Sequence, residues 1–317
     1  MRTTVGFTLP KKQKFQKPPL NIDAQINLLQ QRGLIIKDKD FAYHFLQFVS
    51  YYRLSQYTYT FEFKNPDGTR THKFKENISF QNIVDLYVFD SKLRSHMMNA
   101  IERIEIAFRT RLIYIMSIRH GAHWYMNPDL FTDKLDHNDF IDHVKKECGQ
   151  SAIIGSFKEK KRESFIKHYF KKYNYPSLPP CWMVSEILSL GRWSYIFSCI
   201  KNREDQKNIS TSFNLHYKIL NSWIQSIAYL RNLCAHHNRI WNRTFVISPR
   251  LTTSLEKYLQ NNKKLAAQAT ILNYLLKVTT PNTKWSERLI NFLNINQNIK
   301  IIEMGFNKSW FSDEFWK

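Results

Sequence analysis

An uninterrupted helical pattern between residues 79 and 120 limits the possible folds more than any other feature of the chain. Its apolar residues recur mostly at spacings of three, four and seven, and neither proline nor glycine occurs before Gly121. This spacing, without helix breakers, is typical of an amphipathic helix and predicts one or two long helices spanning about 35 residues. The recurring apolar positions are Ile83, Leu86, Leu93, Met97, Ala100, Ile104 and Ala107.

The composition agrees with a mostly helical protein. Hydrophobic residues make up 43% of the 317 residues and aromatic residues 15%, which excludes a disordered chain. Only 8 glycines and 10 prolines are present, too few for collagen, a glycine-rich phosphate loop or a sandwich of many tight turns. We therefore predict an all-α fold, built as one large domain or two smaller ones.

The cysteines and the hydropathy pattern suggest a reducing compartment. Cys148, Cys181, Cys199 and Cys234 lie far apart, so neither a zinc ribbon nor a disulfide framework is indicated. The first residues lack the apolar core of a signal peptide, and no stretch of about 18 apolar residues occurs. The expectation is a soluble, cytoplasmic protein without a membrane partner.

The chain carries a large positive charge, with 47 Lys and Arg against 26 Asp and Glu, or +21. Nucleic acid is the first candidate for an anionic partner, although a proteome rich in lysine, asparagine and isoleucine explains the charge almost as well. We predict two RNA-binding segments, a basic arm over residues 1–20 and a basic run with interleaved aromatic residues over 155–175. Their cations are Lys11, Lys12, Lys14, Lys17, Lys158, Lys160, Lys161, Arg162, Lys171 and Lys172.

The remaining chain divides into three predicted regions: 21–78, 79–250 and 251–317. In the first, a helix from Asp40 to Tyr59 carries an aromatic stripe that suits either a core-facing surface or a base-stacking platform. A turn signature at 65–68 allows one short β-hairpin near residues 58–75. In the second, a helix is expected to begin at Pro179 and Pro180 and to reach Gly191. The last region is predicted to be helical from Leu251 to about Leu293.

The most informative helix is predicted between Asn214 and Ile240. Its apolar stripe contains Trp223, Ile227, Leu230 and Cys234, and polar residues collect at its carboxyl end. Asn232 and His236 share a face, whereas Arg231 lies about 140° around the axis from His236. The cluster continues through His237, Asn238, Arg239, Asn242 and Arg243, of which Arg243 is also a candidate RNA contact.

Arginine and histidine together supply what RNA cleavage without a metal requires. When a 2′-hydroxyl attacks the neighbouring phosphate, a group titrating near neutrality must move protons and a fixed cation must stabilise the phosphorane. His236 suits the first role and Arg231 the second, with Asn232 orienting either one. One chain offers one such pair, so a two-fold dimer would supply two. The alternative is a purely structural role, in which a histidine at a helix end forms hydrogen bonds beside surface arginines and no reaction is catalysed.

The motif from Arg231 to Arg243 resembles the signature of abortive-infection proteins of the AbiD/AbiF type, which belong to the HEPN superfamily. Further blocks are similar to that family in the same order, so the resemblance covers roughly residues 15 to 245. Where the usual pattern has glycine after Tyr-Tyr-Arg-Leu-Ser, this chain has Gln56. The similar blocks are 17–20, 32–34, 50–55, 93–94, 100–105, 121–125, 182–186 and 190–191.

The resemblance implies a HEPN-like helical core over 79–250, with helical extensions on both sides. It also implies that Arg231, Asn232 and His236 are catalytic in a phage-defence toxin that cleaves RNA, acts as a homodimer and is controlled by a cognate small RNA. Glu102 matches a carboxylate that orients the motif arginine, and His237 and Arg239 support the site. The alternative is a non-catalytic RNA-binding regulator of phage defence.

No cofactor or metal is expected. His120 and His123 lack the glutamate of a zinc-binding HExxH motif and are interpreted as loop and packing residues. The acidic and histidine residues between Asp136 and His143 suit a helix start better than a cation site.

Overall fold

A computed structural model of the chain describes residues 14–150 and 163–317. Within these ranges the chain forms thirteen α-helices and one two-stranded sheet, which confirms the predicted mostly helical fold. None of the helices in these ranges combines the length and apolar character needed to cross a membrane. Six of the predicted RNA-binding residues lie outside the described residues: Lys11, Lys12, Lys158, Lys160, Lys161 and Arg162.

The chain divides into two compact units, Met1–Val88 and Phe89–Lys317. The first contains helices α1 (Ile22–Gln31), α2 (Lys39–Val49) and α3 (Tyr51–Thr58), strands β1 (Glu62–Lys64) and β2 (Arg70–Phe74), and the beginning of α4 (Phe80–His120). Asn21 and Asp38 start α1 and α2, since their side chains accept hydrogen bonds from the first turn of each helix.

The two strands confirm the predicted hairpin. They pair antiparallel, with Glu62 opposite Phe74 and Lys64 opposite Arg70. The Gly68 N–H donates to the Asn65 carbonyl at 2.8 Å, and Gly68 adopts a φ of 81°, a conformation that glycine reaches without strain.

The single helix predicted from Asp40 to Tyr59 is wrong, because the chain breaks at Ser50. This residue has a φ of 69°, and its hydroxyl accepts a hydrogen bond from the Arg53 N–H, so it ends α2 and caps α3. The break turns Phe48 and Tyr52 outward, 72% and 81% exposed, and the aromatic stripe does not face a core at these two positions.

The second unit is built around two long helices. The predicted periodic segment forms one helix, α4, of 41 residues, and its apolar positions Leu93, Met97, Ala100 and Ile104 are fully buried. The predicted helix from Asn214 to Ile240 is present as α10 (Tyr217–Ala235). It packs against α8 (Leu190–Cys199), α9 (Arg203–Thr211) and α12 (Leu265–Thr279).

Shorter helices complete this unit. They are α5 (His137–Glu147), α6 (Ser164–Lys172), α7 (Cys181–Ile187), α8 (Leu190–Cys199), α9 (Arg203–Thr211), α11 (Glu256–Leu259), α12 (Leu265–Thr279) and α13 (Trp285–Ile295).

The helix predicted to run from Pro179 to Gly191 is two helices. As predicted, α7 begins directly after Pro180, but it ends at Ile187 because Leu188 is extended. The Ser189 side chain then accepts a hydrogen bond from the Arg192 N–H and starts α8.

Candidate functional site

The predicted polar cluster lies at the carboxyl end of α10, where the backbone closes in a Schellman motif. The His237 N–H donates to the Cys234 carbonyl at 3.0 Å, and the Asn238 N–H donates to the Leu233 carbonyl at 2.8 Å. The motif requires a left-handed residue, and His237 takes that conformation with a φ of 56°. His236, the capping residue, and His237 are both exposed at this end.

The apolar stripe of α10 fixes the helix in the core, as predicted. Trp223, Ile227 and Leu230 are fully buried, and Cys234 is almost so. Burial raises the pKa of the Cys234 thiol to about 12, with the nearby Asp90 carboxylate adding to the effect. This cysteine is therefore a core residue in its neutral form.

The loop that follows α10 is anchored to α4 by a buried ion pair. One Asp90 carboxylate oxygen accepts hydrogen bonds from the backbone N–H groups of Ile240 and Trp241, at 3.1 and 2.6 Å. The other carboxylate oxygen accepts from the Arg94 guanidinium, which also reaches the Asn238 carbonyl at 3.5 Å. His236 and His237 thus lie between helix α10 and a loop that is anchored to α4.

An open cleft of about 890 Å³ lies between α4 and the end of α10. Both signs of charge line it, together with small polar and apolar side chains. The charged and histidine residues at its surface are Arg94, Glu102, Glu105, Arg109, Arg231 and His237.

Arg231 faces this cleft and pairs with Glu105 rather than with Glu102. Its Nε lies 4.0 Å from a Glu105 carboxylate oxygen, and the two side chains are 35% and 15% exposed. Glu102 also lines the cleft, one turn earlier on α4, but it is exposed and forms no ion pair among the described residues. Of the two glutamates, Glu105 is the one that lies within ion-pair distance of Arg231.

The three motif residues lie on different sides of the helix end. Arg231 faces the charged cleft, whereas Asn232 lines a separate groove between α8 and α10. His236 is exposed at the helix cap. Within the described part of this single chain, no hydrogen bond or ion pair joins these three side chains.

Several neighbouring residues of the motif stabilise the loop itself. The Arg239 guanidinium donates to the Trp241 carbonyl at 2.9 Å, and the Arg243 guanidinium donates to the Arg239 carbonyl at 3.3 Å. Asn242 links the loop to the last region of the chain, since its amide donates to Glu303 at 2.7 Å and accepts from Lys264 at 3.1 Å.

Sequence reasoning missed the partners of these residues. The Arg109 guanidinium, which also lines the cleft, donates to the Ser185 carbonyl at 2.7 Å. Sequence reasoning gave Asp90 no role, although an aspartate on the otherwise apolar side of a long helix is a signal of a buried, paired carboxylate.

Four of the predicted RNA-binding lysines are described and exposed. Lys14 and Lys17 lie in the first unit, and Lys171 and Lys172 end α6 in the second unit. Their role in RNA binding stays a prediction.

The histidines outside the motif that were weighed as metal ligands contact other groups of the fold. His120 lies 2.8 Å from the buried Asp205 carboxylate, and His137 contacts the Tyr125 carbonyl at 3.0 Å. Burial lowers the pKa of His123. In the ranges that the structure describes, no group of three or more histidine, cysteine or carboxylate side chains is arranged to hold a metal ion.

The fold and the site together define a helical protein with an open, charged cleft beside an Arg-x4-His motif. A family model described as Abi-like protein matches residues 44–242, which include α4, α10 and the Arg-x4-His segment from Arg231 to His236. The chain belongs to this family of abortive-infection proteins, and its role is therefore in phage defence. No curated protein and no solved structure gives a significant match to the chain.

Proposed function

We propose that the chain is a HEPN-type endoribonuclease that cleaves RNA without a metal ion and acts as a toxin in phage defence. The observation that carries the proposal is the position of Arg231. Its guanidinium is partly exposed in an open cleft beside the Glu105 carboxylate, and the exposed His236 caps the same end of α10. An open cleft admits a polymer, and a fixed guanidinium matches the geometry of a phosphate.

The proposed reaction uses the RNA's own 2′-hydroxyl. Its oxygen forms a bond to phosphorus while the bond from phosphorus to the 5′-oxygen breaks, leaving a 2′,3′-cyclic phosphate and a 5′-hydroxyl. His236 takes the proton of the 2′-hydroxyl or returns one to the leaving oxygen, and Arg231 stabilises the charge on the phosphorane oxygens. Asn232, which faces the other groove, positions the substrate.

We propose that two chains build the complete site. Arg231 and His236 of one chain face different directions, so a phosphate held by one arginine needs a histidine from elsewhere or a shift of the helix end. A two-fold axis beside the end of α10 brings two arginines and two histidines together. The exposed lysines then hold the RNA backbone. A cognate small RNA is the proposed regulator, and the cytoplasm the proposed compartment.

A non-catalytic RNA-binding regulator is the second candidate. It is favoured by the pairing of Arg231 with Glu105, which partly neutralises the cation, and by the lack of contact between Arg231 and His236 in the described part of one chain. In this case the cleft binds RNA without cutting it.

The two candidates are separated by incubating purified protein with total RNA in EDTA and sequencing the new ends. The endoribonuclease predicts ends with a 2′,3′-cyclic phosphate, which disappear in the Arg231→Ala and His236→Ala proteins. Exposed residues of the same types, Arg250 and His44, provide the matched control variants Arg250→Ala and His44→Ala. Full cleavage by a correctly folded His236→Ala protein would exclude the proposed mechanism, and RNA binding without any cleavage would favour the regulator.

A further inference from the structure

A second groove, with a volume of about 260 Å³, lies between α8 and α10 and ends at Asn232. No charged residue lines it, in contrast to the cleft on the Arg231 side. Amide, hydroxyl and small side chains form its walls. We call it the amide groove, after the amides of Asn221, Gln225 and Asn232.

The three amides form a row along α10. Residues four and seven positions apart lie on one face of a helix, which places Asn221, Gln225 and Asn232 in line with Tyr229 beside them. None of the three side chains hydrogen-bonds to another residue in the described ranges, nor does the Tyr229 hydroxyl. The row therefore has free donors and free acceptors facing solvent.

On the other wall, α8 contributes Ser194, which is only 4% exposed. Its hydroxyl has no hydrogen-bond partner among the residues described here. The Ser194 Oγ is not enclosed by the protein, so the hydroxyl is open to solvent at the base of the groove. It can therefore donate a hydrogen bond to a polar ligand in the groove or accept one from it.

The chemistry of the amide groove fits an unpaired nucleobase. Single-stranded RNA is recognised by bases that turn outward, stack on aromatic side chains and hydrogen-bond along their edges. Asparagine and glutamine offer a donor and an acceptor together, the pair that matches the N6 and N7 atoms of adenine. An anion would require a cation, and the volume is below the roughly 300–1,000 Å³ of sites for whole drug-sized molecules.

We infer that the amide groove binds one unpaired adenine of the RNA, next to the phosphate held by Arg231, and so selects the sequence that the protein acts on. The inference rests on the proposed function, since it requires an RNA substrate in the charged cleft. Arg231 and Asn232 are neighbours in sequence about 100° apart on the helix, so one turn of α10 presents a phosphate ligand to one cleft and a base ligand to the other.

The test uses binding, so that it does not depend on cleavage. The full chain carrying His236→Ala is incubated with a pool of single-stranded RNA that is randomised over its central positions, and the bound molecules are sequenced. We expect adenine to be enriched at one position by at least about fivefold, the lower end of discrimination by a bidentate amide contact. Adding Gln225→Leu or Ser194→Ala removes this enrichment and leaves the salt dependence of binding unchanged.

The matched control is Gln47→Leu, an exposed helical glutamine of α2, which keeps the enrichment. Equal adenine enrichment in the Gln225→Leu, Ser194→Ala and control proteins would overturn the inference. RNA binding without any base preference would also overturn it, while leaving the proposed endoribonuclease intact. Base-selective binding by a wild-type protein that cuts no RNA would support the amide groove and exclude the endoribonuclease.

Discussion

Asp90 and Trp241 are 151 residues apart in sequence, yet the Asp90 carboxylate accepts a hydrogen bond from the Trp241 backbone N–H at 2.6 Å. The same carboxylate pairs with the buried Arg94, which reaches the carbonyl of Asn238. The loop after α10 is therefore held from α4, and the position of His236 depends on a carboxylate that lies far from it in sequence.

Replacing Asp90 is expected to destabilise the protein strongly. Asp90→Ala leaves Arg94 buried without its counterion and removes the acceptor for two backbone N–H groups, which should cost about 3–5 kcal/mol of unfolding free energy. Urea unfolding followed by circular dichroism measures the loss. The matched control is Asp142→Ala, which removes an exposed aspartate paired with Lys145 and should change the free energy by less than about 1 kcal/mol. Equal effects of the two substitutions would contradict the anchoring role of Asp90.

For the proposed RNA cleavage, the two cleft glutamates are expected to differ in their effect. Glu105 lies 4.0 Å from the Arg231 guanidinium, whereas Glu102 is exposed. Glu105→Ala should therefore lower kcat by about tenfold, or about 1.4 kcal/mol of transition-state stabilisation, because the arginine loses its orientation. Glu102→Ala should change kcat less than threefold. Single-turnover cleavage of a defined RNA measures both, and Glu105→Gln, which keeps the shape and one acceptor, should restore part of the rate. A larger loss in Glu102→Ala would show that the earlier carboxylate orients Arg231.

Features that depend on local periodicity could be predicted from the sequence. The apolar spacing was sufficient to predict α4 and the buried stripe of Trp223, Ile227 and Leu230. The turn signature at residues 65–68 was sufficient to predict the hairpin. Ser50 was not predictable in this way, because its left-handed backbone interrupts an otherwise continuous helical pattern.

Features that depend on how packed helices are oriented relative to one another could not be predicted from the sequence. Glu102 and Glu105 are three residues apart on α4, and only the packing of α4 against α10 determines which one faces Arg231. The same packing places Arg231 and Asn232, adjacent in sequence, in two separate grooves. Asp90 likewise acquires its role from backbone groups that come near it only in the folded chain.

Because His237 has a left-handed backbone conformation, substitutions at this position can test its backbone role separately from the role of its imidazole. At a φ of 56°, glycine has no steric cost, so His237→Gly should keep the Schellman motif and leave the unfolding free energy within about 1 kcal/mol of wild type. His237→Val, with a branched Cβ, should lose about 1–2 kcal/mol. Thermal unfolding of the two proteins tests the backbone role. If His237→Gly is folded but cleaves RNA more slowly, the imidazole itself contributes to the reaction. If His237→Val is as stable as His237→Gly, the left-handed backbone at this position does not strain a branched side chain.

The hairpin of the first unit should make stability sensitive to acid. Burial by itself raises the pKa of Glu62, but hydrogen bonds from Arg70 at 2.9 Å and from Thr58 at 2.8 Å outweigh it, and the pKa lies below its ordinary value of 4.5. A lowered carboxyl pKa stabilises the fold at pH values above 4.5, and this stabilisation is lost as the pH falls through the lower folded value.

Glu62→Gln should therefore weaken the fold at neutral pH, by roughly 1–3 kcal/mol, because it removes a buried charge-assisted pair with the Arg70 guanidinium. It should also flatten the decline in unfolding free energy between pH 5 and pH 3, because the group that binds the proton is gone. Urea unfolding across this range measures both effects. Glu76→Gln, which neutralises an exposed glutamate near the end of the hairpin, is the matched control and should retain the wild-type slope. The same slope in Glu62→Gln as in wild type would mean that another carboxylate carries the acid sensitivity.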